Sequence, residues 1–295
     1  MGETAWHYTD VTAFEGVLET GVLWATSSHG LNDPFEVEYG VSEVLRGWRE
    51  LRPDLRSDAP ASDVDDWLES IAARTRERDI YFVSASGRGD SLANWQAYAG
   101  SDGLAIEFDP SSEFRLSCCG EPCEYYTPDA VPPIFWRRVD YGHTDYNWGP
   151  SRDDPILRLI HYALDSFALL AQGRAIDLPL FHAHLERAFL NVVCHYKDPA
   201  YEHEDEFRLA VIVPPASSFR RERVGRYGPQ GYVHLGPADP DDLDRHCVRT
   251  LIQLPIARVR LGPTAPNDLE SRVRQGLDDA GMHEVTVDAS TVPYR

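Results

Sequence analysis

Residues 204–213 alternate in character. Phe207, Leu209, Val211 and Val213 fall on one parity, and Glu204, Glu206 and Arg208 on the other. Side chains of a strand point alternately to its two faces, so the pattern predicts a strand with an apolar core face. Its other face carries two carboxylates and a guanidinium. Further alternating or apolar runs predict strands at Trp6–Thr9, Val22–Thr26, Ile80–Ser84, Gly103–Asp109, Arg137–Tyr141 and Glu284–Val287, with two more segments within Val248–Leu261. Helical spacing of Phe14, Val17 and Leu18 predicts a helix capped by Asp10 and stopped by Gly21. Val64, Trp67, Leu68 and Ile71 mark a helix over Ser62–Arg78, and Leu92, Trp95 and Tyr98 one over Ser91–Tyr98. Long helices are expected at about Pro155–Ala171 and Leu178–Cys194, and a shorter one at Leu269–Leu277. Strands surround a helical stretch without regular strand–helix alternation, which favours an α+β fold in one domain, with a helical insert at about residues 151–196.

Composition narrows the field. The chain has 295 residues, 42% of them hydrophobic, enough for a substantial core. Its net charge of −20 repels duplex nucleic acid at long range. Lys197 is the only lysine, a bias that points to a GC-rich genome or a salt-tolerant host rather than to a function. No apolar run reaches the ~20 residues of a membrane helix, and the first residues lack a basic-then-apolar signal pattern, so a cytoplasmic protein is expected. Five cysteines, three of them clustered as Cys118, Cys119 and Cys123, form no regular frame for disulfides or zinc, and no metal is expected. P-loop, dinucleotide glycine fingerprint, His-Glu-x-x-His and nucleophile elbow are all absent.

Each candidate site residue has a chemical and a plain structural reading. Glu204 and Glu206 suit a split of roles, one activating a nucleophile and one holding a cation or hydroxyl; the alternative is a solvated edge strand with a Glu–Arg pair. His7, between Trp6 and Tyr8-Thr9, is either a hydrogen-bonded strand residue or a ligand for a ribose hydroxyl. Asn32-Asp33-Pro34 is turn chemistry or a polar rim facing a cleft. Ser84 and Ser86 stand at a strand end, where a ligand can approach closely. Trp95 and Tyr98, neighbours on a helix, are a core stripe or a wall for a flat ring. Arg220-Arg221-Glu222-Arg223 is a solvated loop or a phosphate contact.

Several of these pieces resemble one family, the proteins carrying the domain of unknown function 2971. They are Trp6-His7-Tyr8-Thr9, Leu31 to Glu36, Phe82-Val83-Ser84, Asn94 to Ala99, Gly103 to Asp109, Tyr201 to Arg208, Val259 to Pro263 and Ser290 to Arg295, in family order. A tryptophan is usual in that family where Tyr201 stands. A looser resemblance, carried by Trp6 to Asp10 and the helix running to Gly21-Val22-Leu23, is to the ADP-ribosyltransferase superfamily. It implies a split, mostly antiparallel sheet and NAD as substrate. It places His7, with Tyr8 and Thr9, against the nicotinamide-side ribose and Ser84 with Ser86 at the middle strand. Glu206 becomes the principal catalytic acid and Glu204 its helper. Asn32, Asp33, Trp95, Tyr98 and Arg208 complete the expected ligand-binding set. The chain departs from the pattern in two ways: the first strand lacks the arginine of arginine-modifying members, and Asn32-Asp33 stands where the DNA-targeting toxins have an arginine.

The expected function is therefore cleavage of the nicotinamide N-glycosidic bond of NAD, with transfer of ADP-ribose to an acceptor or to water. The acceptor class stays open between a protein side chain, a nucleobase and a small molecule. Two alternatives remain: a non-catalytic ligand-sensing or interaction module on a degraded transferase scaffold, and a nucleosidase or glycosidase with another substrate.

Overall fold

The computed structural model describes residues 3–30, 35–52, 60–117, 134–142, 154–174, 177–213, 217–225, 228–238, 247–248 and 253–293. In chain order the elements begin with β1 (Ala5–Asp10), α1 (Val11–Thr20), β2 (Leu23–Ser27), α2 (Glu36–Leu51), α3 (Ala61–Arg76) and β3 (Ile80–Ser86). Then come α4 (Leu92–Asn94), running on as a π-helix over Trp95–Ala99, β4 (Gly103–Phe108), β5 (Glu113–Ser117), β6 (Ile134–Phe135), β7 (Arg137–Arg138) and β8 (Asp140–Tyr141). The third part holds α5 (Pro155–Ala171), α6 (Leu178–Val193), β9 (Tyr196–Lys197), a 3₁₀ turn (Pro199–Glu204), β10 (Glu206–Ile212), β11 (Arg221–Gly225) and β12 (Gly228–Pro237). β13 (Cys247–Val248), β14 (Ile256–Leu261), α7 (Leu269–Asp279) and β15 (Thr286–Ala289) complete the order.

The fold is α+β with a mostly antiparallel sheet in the order β13-β5-β12-β2-β3-β1-β4-β14-β15; β10 and then β7 lie beside β3 off this path. Among these pairings only β13–β5 and β14–β15 are parallel. Two compact units divide the chain: Met1–Leu31, Asp79–Val139 and Glu202–Arg295 form the sheet unit, and Asn32–Arg78 with Asp140–Tyr201 the helical unit. The expected insert at 151–196 is thus about half of the helical unit. α2 and α3, from far earlier in the chain, supply most of the rest, with Trp67 packing its ring on Phe167 of α5 and Phe189 of α6.

Local chemistry explains the start of the sheet unit. The Asp10 carboxylate accepts the Ala13 amide at 2.7 Å and caps α1. Gly21, at φ 65°, ends that helix in the left-handed conformation glycine adopts freely. Phe14 and Val17 of α1 and Leu269, Val273 and Leu277 of α7 are buried with Val83, Ile106, Leu209 and Val259 of the sheet in one core.

Two expectations need correction here. Arg137–Tyr141 is not one strand. Val139 donates its amide to the Glu206 carbonyl at 2.9 Å in the sheet unit, and Asp140 donates to the His195 carbonyl at 2.8 Å in the helical unit. Successive amides of an extended chain point opposite ways, and here they serve different partners. Glu204–Val211 is not one strand either: β10 begins at Glu206, after the 3₁₀ turn. The Cys118, Cys119, Cys123 cluster and the Asn32-Asp33 pair lie outside the described residues.

Candidate active site

β3 has two edges, and they are used differently. One is paired along its whole length by β10, from Glu206↔Ser86 to Ile212↔Ile80. The other is shared: β2 meets it at Tyr81 and Phe82, and β1 meets it at Ser86 through Trp6. Between those two pairings the edge at Ser84 is bridged by a side chain. His7 Nδ1 lies 2.8 Å from the Ser84 carbonyl oxygen. A carbonyl only accepts, so Nδ1 carries the proton and, in the neutral ring, Nε2 keeps its lone pair. Burial lowers the His7 pKa below its ordinary value, against the opposing pull of the Ser84 bond. The ring is therefore neutral near pH 7. Nε2, with no hydrogen-bond partner among the described residues, is an acceptor poised where β1 and β2 part.

The two glutamates sit in unlike surroundings. Glu206 opens β10, is 4% exposed, and is held by Arg208, itself 1% exposed. Nε of Arg208 donates to Oε1 of Glu206 at 2.7 Å and Nη2 to Oε2 at 2.9 Å. The guanidinium also lies 5.2 Å from the Phe82 ring centre. Parity does place Glu206 and Arg208 on one face, and there the pair is buried rather than solvated, with Phe82 of β3 beside the guanidinium. Glu204 ends the 3₁₀ turn and is half-buried. Its carboxylate accepts the Tyr98 hydroxyl at 2.7 Å, and its backbone carbonyl accepts the Ser86 hydroxyl at 2.6 Å.

Asp205 separates them. Its φ of 49° is the one positive value among described non-glycine residues. A left-handed residue at this point turns the chain between turn and strand, so the two acids leave the backbone in different frames. The Asp205 carboxylate is held by Arg138 and, at 3.7 Å, by Arg88. The Gly87 amide donates to the Asp205 carbonyl at 2.6 Å, and a Cβ on Gly87 would stand 2.7 Å from Asp205 Oδ2.

The aromatic wall divides similarly. Trp95 is buried, edge-on to Tyr8 with ring centres 4.7 Å apart, and donates its indole N–H to Asp90 at 2.9 Å. Tyr8 is buried too. Its hydroxyl donates to the Arg88 carbonyl at 2.6 Å, and burial pushes its pKa up to about 12. Tyr98 is 44% exposed. The π-helical turn Trp95–Ala99 carries both rings, an irregularity frequent at functional sites. Burial pushes the Asp90 carboxyl up, but hydrogen bonds from Ser290, Trp95 and Thr291 outweigh it and hold the group below the usual carboxylate range. Ser290 Oγ, Thr291 N and Thr291 Oγ1 reach it at 2.5, 2.8 and 2.9 Å, so the chain's last described residues brace the Trp95 turn.

His7, Ser84, Ser86, Tyr98, Glu204, Glu206 and Arg208 are thus gathered around β3, with Tyr8 and Trp95 as packed support. Ser84 is exposed and Ser86 buried; Thr9 is half-buried at the His7 parity of β1. Asp205, Asp90, Arg88 and Arg138 are additions that only the tertiary contacts reveal. Comparison with protein-family models, with curated proteins and with solved structures finds no match for this chain.

Proposed function

We propose that the sheet unit is an ADP-ribosyltransferase-like enzyme that cleaves the N-glycosidic bond of NAD, and that the chain is a member of the domain of unknown function 2971 family. One observation carries this. His7, Ser84 with Ser86, and the Glu204–Glu206 pair come from three distant stretches and meet on the edges of a single strand, β3. Their order in the chain is that of the superfamily the sequence resembles.

In this proposal the bond from the ribose C1′ to nicotinamide breaks, its electron pair leaves with neutral nicotinamide, and the ribose becomes oxocarbenium-like. A neutral His7 presents Nε2 to a ribose hydroxyl. A carboxylate beside the developing cation stabilises it. The acceptor, water or an alcohol, amide or guanidine group, bonds to C1′ and gives up a proton to a carboxylate or to solvent. In this reading the working acid is Glu204 rather than Glu206. Glu206 is sealed against Arg208, whereas Glu204 lies at the half-open surface beside the exposed Tyr98 ring, a surface on which nicotinamide can stack.

Incubation with NAD and chromatography for nicotinamide tests this, with and without cell lysate as acceptor source. Glu204→Gln is expected to lower release by roughly a hundredfold, the scale of one lost electrostatic stabiliser. Absence of release from the unaltered protein under both conditions would sink the proposal. The burial of Glu206 also favours a second function, a non-catalytic sensor. It predicts NAD or ADP-ribose binding that His7→Ala weakens, without any nicotinamide release.

A further inference from the structure

The arginine-rich stretch at 220–223 has a use that the proposed chemistry leaves unexplained. Trp24 is 38% exposed although β2 lies inside the sheet, between β12 and β3. It stacks on Tyr232 of β12 with ring centres 4.8 Å apart and planes 17° from parallel. The Arg223 guanidinium stands 5.2 Å from the Trp24 ring and 5.7 Å from the Tyr232 ring. Those three distances make a nearly equilateral triangle, so the cation flanks the stack instead of capping it. His234 flanks it likewise, 5.6 Å from Trp24 and 5.3 Å from Tyr232. Within this cluster Trp24 still keeps more than a third of its surface exposed.

Arg223 is also unusual for this chain. In a protein of net charge −20 it is a half-buried cation with no carboxylate partner among the described residues. Two of its five N–H donors are spent, on Gln230 Oε1 and Thr26 Oγ1, both at 3.2 Å. Three remain, beside the part-exposed indole.

We propose that Trp24 and Arg223 form a nucleotide-binding platform, a base stacking on the indole and a phosphate pairing with the guanidinium. Stacking and bidentate phosphate contact are the uses for which these two side chains are best suited. Net charge favours a mononucleotide over a nucleic-acid strand, whose many phosphates the acidic chain repels. The platform lies on the same sheet face as Phe82, Ser84 and Arg208, since Trp24 faces His234, Thr26 faces Tyr232 and Phe82, and Arg208 faces Ser84 in register. It does not depend on the NAD proposal.

Titration of the whole protein with AMP and with ADP-ribose, followed by calorimetry, decides the matter. Saturable binding is expected, weakened tenfold or more by Arg223→Gln and by Trp24→Ala and unchanged by Arg274→Gln on the exposed side of α7. Arg223→Gln stands alone if Trp24→Ala fails to fold. The inference is overturned by absence of saturable binding at millimolar AMP, or by equal binding to Arg223→Gln. It is overturned also if inorganic phosphate binds as well as AMP, or if a single-stranded oligonucleotide displaces AMP at equal nucleotide concentration. AMP binding without nicotinamide release leaves the platform standing and removes the NAD proposal. Nicotinamide release without AMP binding does the reverse.

Discussion

The turn that ends in Glu204 and the strand that opens at Glu206 adjoin in the chain and treat charge in opposite ways. In the strand, charge is enclosed: Glu206 and Arg208 satisfy each other through two parallel hydrogen bonds under the Phe82 ring. In the turn, charge is presented: Glu204 is half-buried and its carboxylate accepts the hydroxyl of solvent-facing Tyr98. The contrast teaches that two acids one residue apart need not act as a pair. A buried ion pair fixes structure and is slow to exchange partners, because separating it means desolvated charge. An acid at the half-open surface of the same unit can exchange partners with water at less cost.

The largest test of the contrast is on the strand side. Arg208→Met leaves Glu206 buried without its guanidinium and is expected to lower unfolding free energy in urea by about 3–5 kcal/mol. Glu206→Leu combined with Arg208→Met removes both charges and should recover most of that loss. If Glu204 is the working acid, the double variant also keeps nicotinamide release. A single-variant loss under about 1 kcal/mol would show that the pair is not the enclosed element described above.

A smaller effect is expected at the hinge. Asp205→Ala keeps a Cβ at a left-handed backbone position but loses the side-chain oxygens that favour it. It should cost about 1–2 kcal/mol. Asp205→Asn and Asp205→Gly suit that conformation and should lie closer to the unaltered protein in urea midpoint. Equal midpoints for alanine and asparagine would mean that the φ at this residue is not what divides the two acids.

The gentlest effect is with pH. Burial, aided by Arg221, lowers His234 to about 4 from 6.5. The folded state then binds its proton later than the unfolded state does. Below about 6.5 the unfolded chain gains a proton the folded chain refuses, so stability falls as pH drops from 6.5 toward 4. His7 is shifted the same way and adds to the fall. The carboxyl of Asp90, held low, contributes stability that is lost only in stronger acid, as pH falls below its ordinary 3.8. Urea midpoints at pH 7.5, 5.5 and 4.5 should decline in that order, and His234→Gln should flatten the decline.

Much of the sheet unit was legible from the chain because local rules suffice for it. Asp10 and Gly21 bracket α1 as their capping chemistry demands, and the helix at Pro155–Ala171 has the expected bounds. α2 is not among the elements expected from the pattern, although Val41, Val44, Trp48 and Leu51 share its buried side. β12 is not among them either. Its Gly228, Pro229, Gly231 and Gly236 are poor strand formers, and pairing with β2, β5 and β11 holds it as a strand.

The sequence by itself determined the parity of β10: Phe207, Leu209 and Val211 in the core, and Glu206 with Arg208 opposite. That follows from alternation along one strand and needs no neighbour. Tertiary structure alone decided that this opposite face is sealed rather than wet, because burial depends on side chains such as Phe82 that come from residues far away in the chain. It also decided the separation of Glu204 from Glu206. A single left-handed residue at Asp205, stabilised by Arg138, Arg88 and the close approach of Gly87, overrides the parity that sequence spacing implies. A one-dimensional pattern contains the side on which a residue lies within an element. What covers that side, and where the element begins, is set by contacts between residues that the pattern does not place together.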